Sequence, residues 1–376
     1  MALRALARVN LAAIERNVVH LRAGLAGDAR LCAVVKANAS GHGAVPVARA
    51  SLAGGAAMLA VATVGEAAEL RSAAIEAPVL VMGAISAQEL PVALAAGAEV
   101  VAWSEEFVAD LRAAARSRRV KVHVKLDTGL GRLGTRELDQ AIGIADRVTA
   151  AGPALELAGA MTHFATADSD AAFVDAQLAA FEPFVAALAR RSDSLLVHAA
   201  NSAATLRAPA SHFDLVRCGI ALYGCDPMNR EPDRHGLEPA LELTSYVATV
   251  KLARPGESAG YGRCFVAERD TWVATLPIGY ADGIRRGLSS NCDVLIAGRR
   301  YPLVGTVSMD NVTVSLGSES PAVAVGTIVT IIGRSGGERQ TVEELANRLD
   351  TVAHEVLCGI SARVTREYHR DGVPLT

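Results

Sequence analysis

LELAGAMTHF (residues 155–164), DAQLAAFEPFVAALARR (175–191) and LLVHAANS (195–202) follow one another along the chain and indicate its architecture. The first and third segments are short apolar runs, as in buried strands, whereas the middle segment is Ala-rich with the apolar spacing of a helix. A strand, a helix and a strand in this order predict two parallel strands joined by a helical crossover.

The same alternation extends from about residue 29 to residue 220. Six further apolar runs have this character: RLCAVVK (30–36), MLAVAT (58–63), PVLVMG (78–83), EVVAW (99–103), KVHVKLD (121–127) and FDLVRCGI (213–220). Eight strand–helix repeats in so short a chain favour a closed (β/α)8 barrel of the TIM type, with an open parallel sheet as the alternative.

A second domain is indicated beyond the polar loop GCDPMNREPDRHGLEP (224–239). The segments that follow it, such as ALELTSYVATVKLA and GTIVTIIG, are β-branched and punctuated by glycine, which predicts a mainly antiparallel β domain. We therefore expect a barrel domain at 1–235 and a β domain at 236–376. The first ten or so residues are a candidate strand of the β domain.

The bulk properties restrict the classes of function. A net charge of -3 with no basic block gives no electrostatic footprint for nucleic acid or an anionic membrane. The uncharged run Ala50 to Gly65 is shorter than the roughly 18 apolar residues of a membrane span. Without a signal-peptide pattern at the amino terminus, we expect a cytoplasmic protein. The six cysteines lack C-x-x-C spacing, so neither a metal site nor a disulfide framework is expected.

Lysine is rare here, because 33 of the 37 basic residues are arginine and only Lys36, Lys121, Lys125 and Lys251 are lysine. An arginine cannot form an imine with a carbonyl compound, so each lysine is a candidate for covalent chemistry. Lys36 ends the first apolar run, and barrel active sites lie at the carboxyl ends of the strands. Lys36 is thus a candidate imine-forming amine. The alternative is a surface lysine at a strand end.

Other chemically useful side chains also follow the apolar runs. They are Asp127, Arg132, His163, His198, Asn201, Ser202 and Arg217. The Ser202 hydroxyl and the backbone N–H groups of Gly219 and Ile220 suit a phosphate, although a helix cap and a turn glycine are the simpler explanations.

The segment TGLGRLG (128–134) matches the dinucleotide fingerprint G-x-G-x-x-G. Four strands precede it, whereas the fingerprint normally opens the first strand–helix unit, and Arg132 occupies the position of close backbone approach. An NAD-dependent oxidoreductase is therefore disfavoured.

Eight motifs in order resemble the motif series of the alanine racemases: VVKANASGHG, KLDTGLGRLG, MTHFATAD, ANSAA, RCGIALYG, GYG, PIGYADG and VGTVSMDNV. The resemblance extends over nearly the whole chain. It implies a pyridoxal-phosphate-dependent isomerase that interconverts L- and D-alanine, built as a barrel plus a β domain and assembled as a homodimer. It also implies a role in supplying D-alanine for the cell wall.

The resemblance also implies residue roles. Lys36 would bind pyridoxal phosphate covalently and act as one base, while Tyr261 of the partner subunit would act as the other, because racemisation needs proton carriers on opposite faces of the α-carbon. Cofactor contacts are implied for His163, Asn201, Ser202, Arg217, Gly219 and Ile220. Substrate contacts are implied for Arg132, Tyr280, Met309 and Asp310, and Lys125 matches a lysine that is often carbamylated.

Two positions depart from the family pattern, since Ser40 and Ala362 stand where tyrosines usually contact the phosphate. Their absence predicts weaker cofactor binding and a wider entrance. A serine or broader-specificity racemase, or a weakly active homologue, is therefore an alternative. A pyridoxal-phosphate decarboxylase is disfavoured by Arg217, which replaces an acidic partner of the ring nitrogen, and a non-catalytic cofactor-binding protein is disfavoured by the β domain.

Overall fold

The computed structural model describes residues 3–115 and 118–375, which form two compact units. One unit comprises Ile14–Ala39 and Gly43–Leu222. The other takes up the described part of Met1–Ala13, Ser40–His42 and Tyr223–Thr376, and contains the first strand, β1 (Leu6–Asn10).

The first unit contains eight parallel strands, counted over the described residues. They are β2 (Arg30–Val34), β3 (Met58–Val61), β4 (Val79–Val81), β5 (Glu99–Ala102), β6 (Val120–Lys125), β7 (Leu155–Met161), β8 (Leu196–His198) and β9 (Leu215–Cys218). They pair in the order β8-β7-β6-β5-β4-β3-β2-β9. The Arg217 N–H donates to the carbonyl of Ala200 at 2.9 Å, and the Asp214 N–H to that of Val197 at 3.1 Å, so the two end strands also meet. The predicted barrel is confirmed.

Helices connect the strands of this unit. They are Leu11–Ala23, Ala44–Ala53, Val64–Ser72, Leu90–Ala95, Glu105–Ala115, Leu138–Ala150, Ala171–Ala189 and Ser202–Arg207. The barrel interior is filled by apolar side chains, among them Met58, Leu80 and Met161. Helix Ala171–Ala189 is long and apolar enough to cross a membrane by length and composition alone. Its position between β7 and β8 and its buried Phe181 and Phe184 explain its apolar character as that of a barrel crossover.

The second unit is built on a mainly antiparallel sheet, as predicted. Its remaining strands are β10 (Leu241–Tyr246), β11 (Thr249–Ala253), β12 (Ser258–Ala259), β13 (Phe265–Val266), β14 (Thr271–Leu276), β15 (Asp293–Ile296), β16 (Arg299–Val304), β17 (Val312–Gly317), β18 (Ile328–Ser335), β19 (Glu338–Gln340), β20 (Thr365–Arg370) and β21 (Val373–Pro374). The order is β11-β14-β17-β16-β15-β18-β10-β1-β20-β21, with β12 and β13 forming a separate hairpin and β19 pairing with β18. Strand β1 pairs antiparallel with β10 and parallel with β20, so the amino terminus does contribute a strand here. Helices Val342–Arg348 and Ala353–Cys358 complete the unit.

The chain passes from one compact unit to the other between residues 222 and 223. The backbone N–H of Asp226 donates to Glu343 at 2.9 Å, and Asn229 donates to the Thr351 carbonyl at 2.6 Å. The polar loop therefore packs within the second unit. Its hydrogen-bond partners lie more than a hundred positions away, so no local sequence pattern distinguishes this loop from a linker.

Candidate active site

Lys36 follows β2 at the carboxyl end of the barrel and begins a left-handed turn. Ala37, Asn38, Ala39 and Ser40 have φ angles of 53, 53, 52 and 50°. Side chains disfavour this region by about 1–2 kcal/mol per residue. Hydrogen bonds hold the turn: Glu66 accepts from the Ala37 N–H at 2.6 Å, and the Asn38 side chain accepts from the Ala44 N–H at 2.8 Å. This strained turn, which the sequence did not predict, leaves the Lys36 side chain exposed.

Arg217 is buried at the end of β9 with only 2% of its surface exposed. The two hydrogens of its Nη2 are shared among three acceptors: the carbonyls of Thr162 at 2.8 Å and Ala199 at 2.9 Å, and Nδ1 of His163 at 3.0 Å. Burial lowers the pKa of Arg217 to about 10, so the guanidinium stays protonated at neutral pH. Its Nε–H is buried and has no hydrogen-bond partner among the described residues, which leaves one donor for a ligand.

A chain of buried side chains joins Arg217 to a carboxylate. Nη1 of Arg217 lies 2.8 Å from Nδ1 of His198, Nε2 of His198 lies 2.8 Å from Nδ1 of His123, and Nε2 of His123 lies 2.8 Å from Glu99. Burial raises the pKa of Glu99, but its hydrogen bond from His123 and the nearby charges outweigh this, and the pKa is lowered.

The direction of this chain follows from the ionised Glu99, which can only accept. His123 therefore carries its proton on Nε2, His198 donates from Nε2 to His123, and Arg217 donates to His198. Burial, followed by the charge of Arg217, holds the pKa of His198 well below 6.5, so this imidazole is neutral as the chain requires. His123 and Glu99 were not identified from the sequence. The only feature of the sequence that could have indicated them is that each is a polar residue in an otherwise apolar strand segment.

The sequence-predicted cations of the barrel lie together around His163. Burial lowers the pKa of His163 well below 6.5, and neighbouring positive charges lower it further. In decreasing order of effect these charges belong to Arg217, Lys125, Arg132 and Lys36. A concentration of positive charge at the carboxyl end of the strands suits a ligand that carries phosphate and carboxylate groups.

Lys125 ends β6 with 3% of its surface exposed. Burial lowers its pKa from 10.5 to about 8, and the charges of Arg217 and Arg132 contribute in the same direction, while Asp127 opposes them. A substantial fraction of this amine is therefore neutral near physiological pH. Only a neutral amine has the lone pair that carbon dioxide needs for reaction.

The glycine-rich segment TGLGRLG folds around Asp127. The carboxylate of Asp127 accepts from the Gly131 N–H at 3.0 and 2.9 Å and from the Gly129 N–H at 3.2 Å. These two N–H groups are thus directed at a protein carboxylate, which gives a structural reason why the segment does not act as a dinucleotide loop.

Ser202 lies between its own helix and the segment after β9. Its Oγ accepts from the backbone N–H of Gly219 at 2.9 Å and from that of Ala221 at 3.4 Å, and Asn201 caps the helix by accepting from Ala204. Ile220 begins the 3-10 turn Ile220–Tyr223. Ser202, Gly219 and Ile220 therefore lie close together, and in this structure the Gly219 N–H donates to the Ser202 hydroxyl.

Tyr261, Tyr280, Met309 and Asp310 belong to the second unit. Tyr261 is 74% exposed, and its carbonyl accepts from the Thr306 hydroxyl at 3.0 Å. Tyr280 and Met309 are exposed and lie on paired segments, because Tyr280 N–H donates to Ser308 and Ala281 N–H to Met309, both at 3.0 Å. The structure brings these two residues together.

The two departures from the family pattern also lie in the second unit. Ser40 is buried and Ala362 is exposed. Arg366 links their surroundings by donating to the carbonyls of Gly41 at 3.1 Å and Ile360 at 2.7 Å. Among the described residues, no group of three or more His, Cys, Asp or Glu side chains could hold a metal ion.

Comparison with known proteins agrees with this arrangement. A family model described as "Alanine racemase, N-terminal domain" matches residues 9–227, and one described as "Alanine racemase, C-terminal domain" matches residues 240–368. Alanine racemase 1 of Bacillus subtilis (strain 168) is 39% identical over 372 residues, which cover 97% of this chain and 93% of that protein. The alanine racemase of Symbiobacterium thermophilum is 41% identical over 366 residues, 96% of either protein.

Solved structures show the same similarity. The alanine racemase from a D-cycloserine-producing Streptomyces lavendulae has a TM-score of 0.93 and 38% identity, and the match covers 98% of both chains. The Bacillus anthracis alanine racemase with bound L-Ala-P has a TM-score of 0.91 and 37% identity over 100% of this chain and 97% of that one. Together with the barrel and the ordered motifs, these full-length matches show that this chain belongs to the alanine racemase family of isomerases.

Proposed function

We propose that this enzyme interconverts L- and D-alanine with pyridoxal phosphate as its cofactor. The observation that carries the proposal is the buried Arg217 Nε–H, which lacks a protein partner in the described part of the chain and lies in a group of cations. A buried donor of this kind calls for an acceptor on a ligand, and a pyridine nitrogen is such an acceptor. The relatives reported above are all named alanine racemases, which favours alanine over the serine or broader-specificity alternative.

The residues present fit this cofactor. Lys36 would hold it covalently and Arg217 would donate to its ring nitrogen. Ser202, Asn201 and Ile220 would surround its phosphate, with the Ser202 hydroxyl as donor and Gly219 holding that hydroxyl in place. When bound, pyridoxal phosphate withdraws electrons from the α-carbon of an attached amino acid and makes the hydrogen there acidic.

Two residues of the chain would move that proton. The Lys36 amine would serve the face of the D-enantiomer, and the phenol of Tyr261 of the partner subunit would serve the face of the L-enantiomer, as the exposure of Tyr261 permits. His163, with a pKa well below 6.5, is a neutral hydrogen-bonding group that can orient the phenol. We therefore propose a homodimer with shared sites.

Arg217 would limit side reactions. Because its pKa remains about 10, it donates a hydrogen bond to the ring nitrogen but keeps its proton. The chain to Glu99 supports this state by accepting from the guanidinium. Electron withdrawal from the α-carbon is then weaker than with an acidic partner, which disfavours transamination and decarboxylation.

Lys125 would be carbamylated. The ammonium would first lose one proton. The neutral amine would then attack carbon dioxide, forming an N–C bond as one C=O π bond opens, and would lose a second proton to solvent, so that a buried cation becomes an anion. This anion would hold Arg132 in place. The Arg132 guanidinium would bind the substrate carboxylate together with Met309 and Asp310 of the partner subunit, while Tyr280 would line the entrance.

We place the enzyme in the cytoplasm, where it would supply D-alanine for the cell wall.

Two measurements test the function. Incubation of the cofactor-loaded enzyme with L-alanine, followed by chiral chromatography, should show a racemic mixture. The Lys36→Ala variant should lose both this activity and the visible absorbance of the bound cofactor. Retention of the absorbance in Lys36→Ala would exclude Lys36 as the attachment site, and the absence of D-alanine from the wild-type reaction would exclude the activity.

A further inference from the structure

Asp282, in the second unit, is a fully buried carboxylate with several charged and polar partners. It accepts from Nη2 of Arg4 at 2.5 Å and Nη1 of Arg4 at 3.0 Å, from Nε of Arg363 at 2.7 Å, and from the backbone N–H of Gly279 at 2.9 Å. Burial alone raises the pKa of Asp282, but these hydrogen bonds outweigh burial and lower it. The carboxylate is therefore ionised at neutral pH.

Arg363 connects this buried carboxylate to an exposed one. While its Nε donates to Asp282, its Nη2 donates to Asp310 at 2.5 Å. Asp310 has half of its side chain exposed and lies next to Met309. The orientation of Asp310 thus depends on a guanidinium whose other edge is fixed by Asp282.

Asp282 also binds the backbone of the segment that carries Tyr280. Its carboxylate fixes the Gly279 N–H at the start of the turn that carries Tyr280. A Cβ at Gly279 would lie 2.4 Å from the carbonyl oxygens of Ser308 and Met309, so the two segments touch backbone to backbone. A shift of Asp282 would therefore move both Tyr280 and Met309.

We propose that Asp282 is a positioning residue for the side of the active site that receives the substrate carboxylate. It would act through Arg363 on Asp310 and through Gly279 on Tyr280 and Met309. Removal of the charge would leave two guanidinium groups in mutual repulsion and would free Arg363 to turn away. This inference rests on the proposed function, in which Asp310 and Met309 of the partner subunit meet the substrate.

The main test is Asp282→Asn in the cofactor-loaded enzyme, which keeps the side-chain size and removes the charge. We expect KM for L-alanine to rise about tenfold, the size of effect of one lost charge-assisted contact, with kcat within about threefold of wild type. An unchanged KM with a lower kcat, or with only a lower melting temperature, would mean that Asp282 has a purely structural role and would overturn the proposal.

Two further variants identify the path. Arg4→Met removes the other charged partner of Asp282 and should lower stability with KM within about twofold of wild type; a KM increase equal to that of Asp282→Asn would contradict a path through Arg363. In the double variant Asp282→Asn/Asp310→Asn, KM should rise by less than the product of the single effects. Multiplicative effects would show that the two carboxylates act independently.

Two further measurements cover the cases in which Asp282→Asn does not fold or the enzyme does not racemise alanine. Should Asp282→Asn not fold, Arg363→Lys serves instead, because a lysine cannot bridge two carboxylates as a guanidinium does, and an unchanged KM would refute the path. Amide hydrogen exchange on the cofactor-free protein is independent of the racemase activity. Faster exchange at Tyr280 and Ala281 in Asp282→Asn, with β14 and β17 unchanged, is expected, and unchanged exchange at these amides would refute the positioning role even if alanine is racemised.

Discussion

Replacement of Lys125 by methionine should stabilise the cofactor-free protein at neutral pH. Lys125 is 3% exposed, and burial lowers its pKa from 10.5 to about 8. At about 1.4 kcal/mol per pKa unit, this difference corresponds to a cost of about 3 kcal/mol for folding with a charged Lys125. Methionine has a similar unbranched shape and carries no charge.

The sign of the pH dependence follows from linkage. Well below pH 8 the amine is mostly charged in both the folded and the unfolded chain, so nearly the full cost is present. Between about pH 8 and 10.5 the unfolded chain binds the proton more tightly than the folded one, and the stability of the wild type therefore rises with pH. Above 10.5 both states are neutral and the cost disappears.

The assay is urea unfolding of the cofactor-free protein in buffer free of carbon dioxide, followed by circular dichroism. Lys125→Met should be more stable than wild type by up to about 3 kcal/mol at pH 7, and this advantage should be largely lost by about pH 10.5. Lys121→Met is the matched control, because Lys121 lies on the same strand with 49% of its side chain exposed and should change stability by less than about 1 kcal/mol.

Bicarbonate provides the second arm of this experiment. If Lys125 is carbamylated, bicarbonate should stabilise the wild type and leave Lys125→Met unaffected, because only the wild type can exchange a buried cation for an anion beside Arg132. If Lys125→Met is no more stable than wild type at pH 7, or if the difference between them is the same at both pH values, burial of a charged Lys125 does not cost the predicted free energy.

Three further predictions concern the cofactor side of the site. Tyr261→Phe should slow deuterium incorporation into L-alanine far more than into D-alanine, measured by NMR in heavy water; equal slowing would contradict its assignment to one face. Ala362→Tyr should tighten pyridoxal phosphate binding about tenfold in equilibrium dialysis by restoring one hydrogen bond to a charged acceptor, and unchanged affinity would count against the missing tyrosine as the cause. Glu99→Gln should alter the ¹⁵N imidazole signals of His123 and His198 in the cofactor-free protein, since the acceptor that fixes both tautomers loses its charge; identical spectra would be inconsistent with the chain.

Local patterns were sufficient for much of the fold. Alternating apolar runs and helical segments predicted the eight strands between Arg30 and Cys218, because strand and helix periodicity depends on neighbours only a few residues away. The same patterns placed Lys36, His163 and Arg217 at strand ends, and the topology of a parallel barrel brings all strand ends to one face.

Hydrogen bonds between residues that are far apart in the sequence could be identified only in the folded structure. His123 and Glu99 lie on adjacent strands and reach His198 across the barrel, so their hydrogen bonds depend on which side chains share the interior at one level. Asp282 is hydrogen-bonded to Arg4, Gly279 and Arg363. Arg4 and Arg363 lie too far from it along the chain for a local sequence pattern to predict these contacts.

Local periodicity and ordered motifs were thus enough to predict the architecture and the family, and they supplied the candidate side chains of the site. The protonation states and the contacts around Asp282, in contrast, depend on the folded arrangement of distant residues. The pKa of Lys125 and the polarity of the chain from Arg217 to Glu99 arise from burial and from charges brought close by folding, and neither is a property of neighbouring residues in the chain.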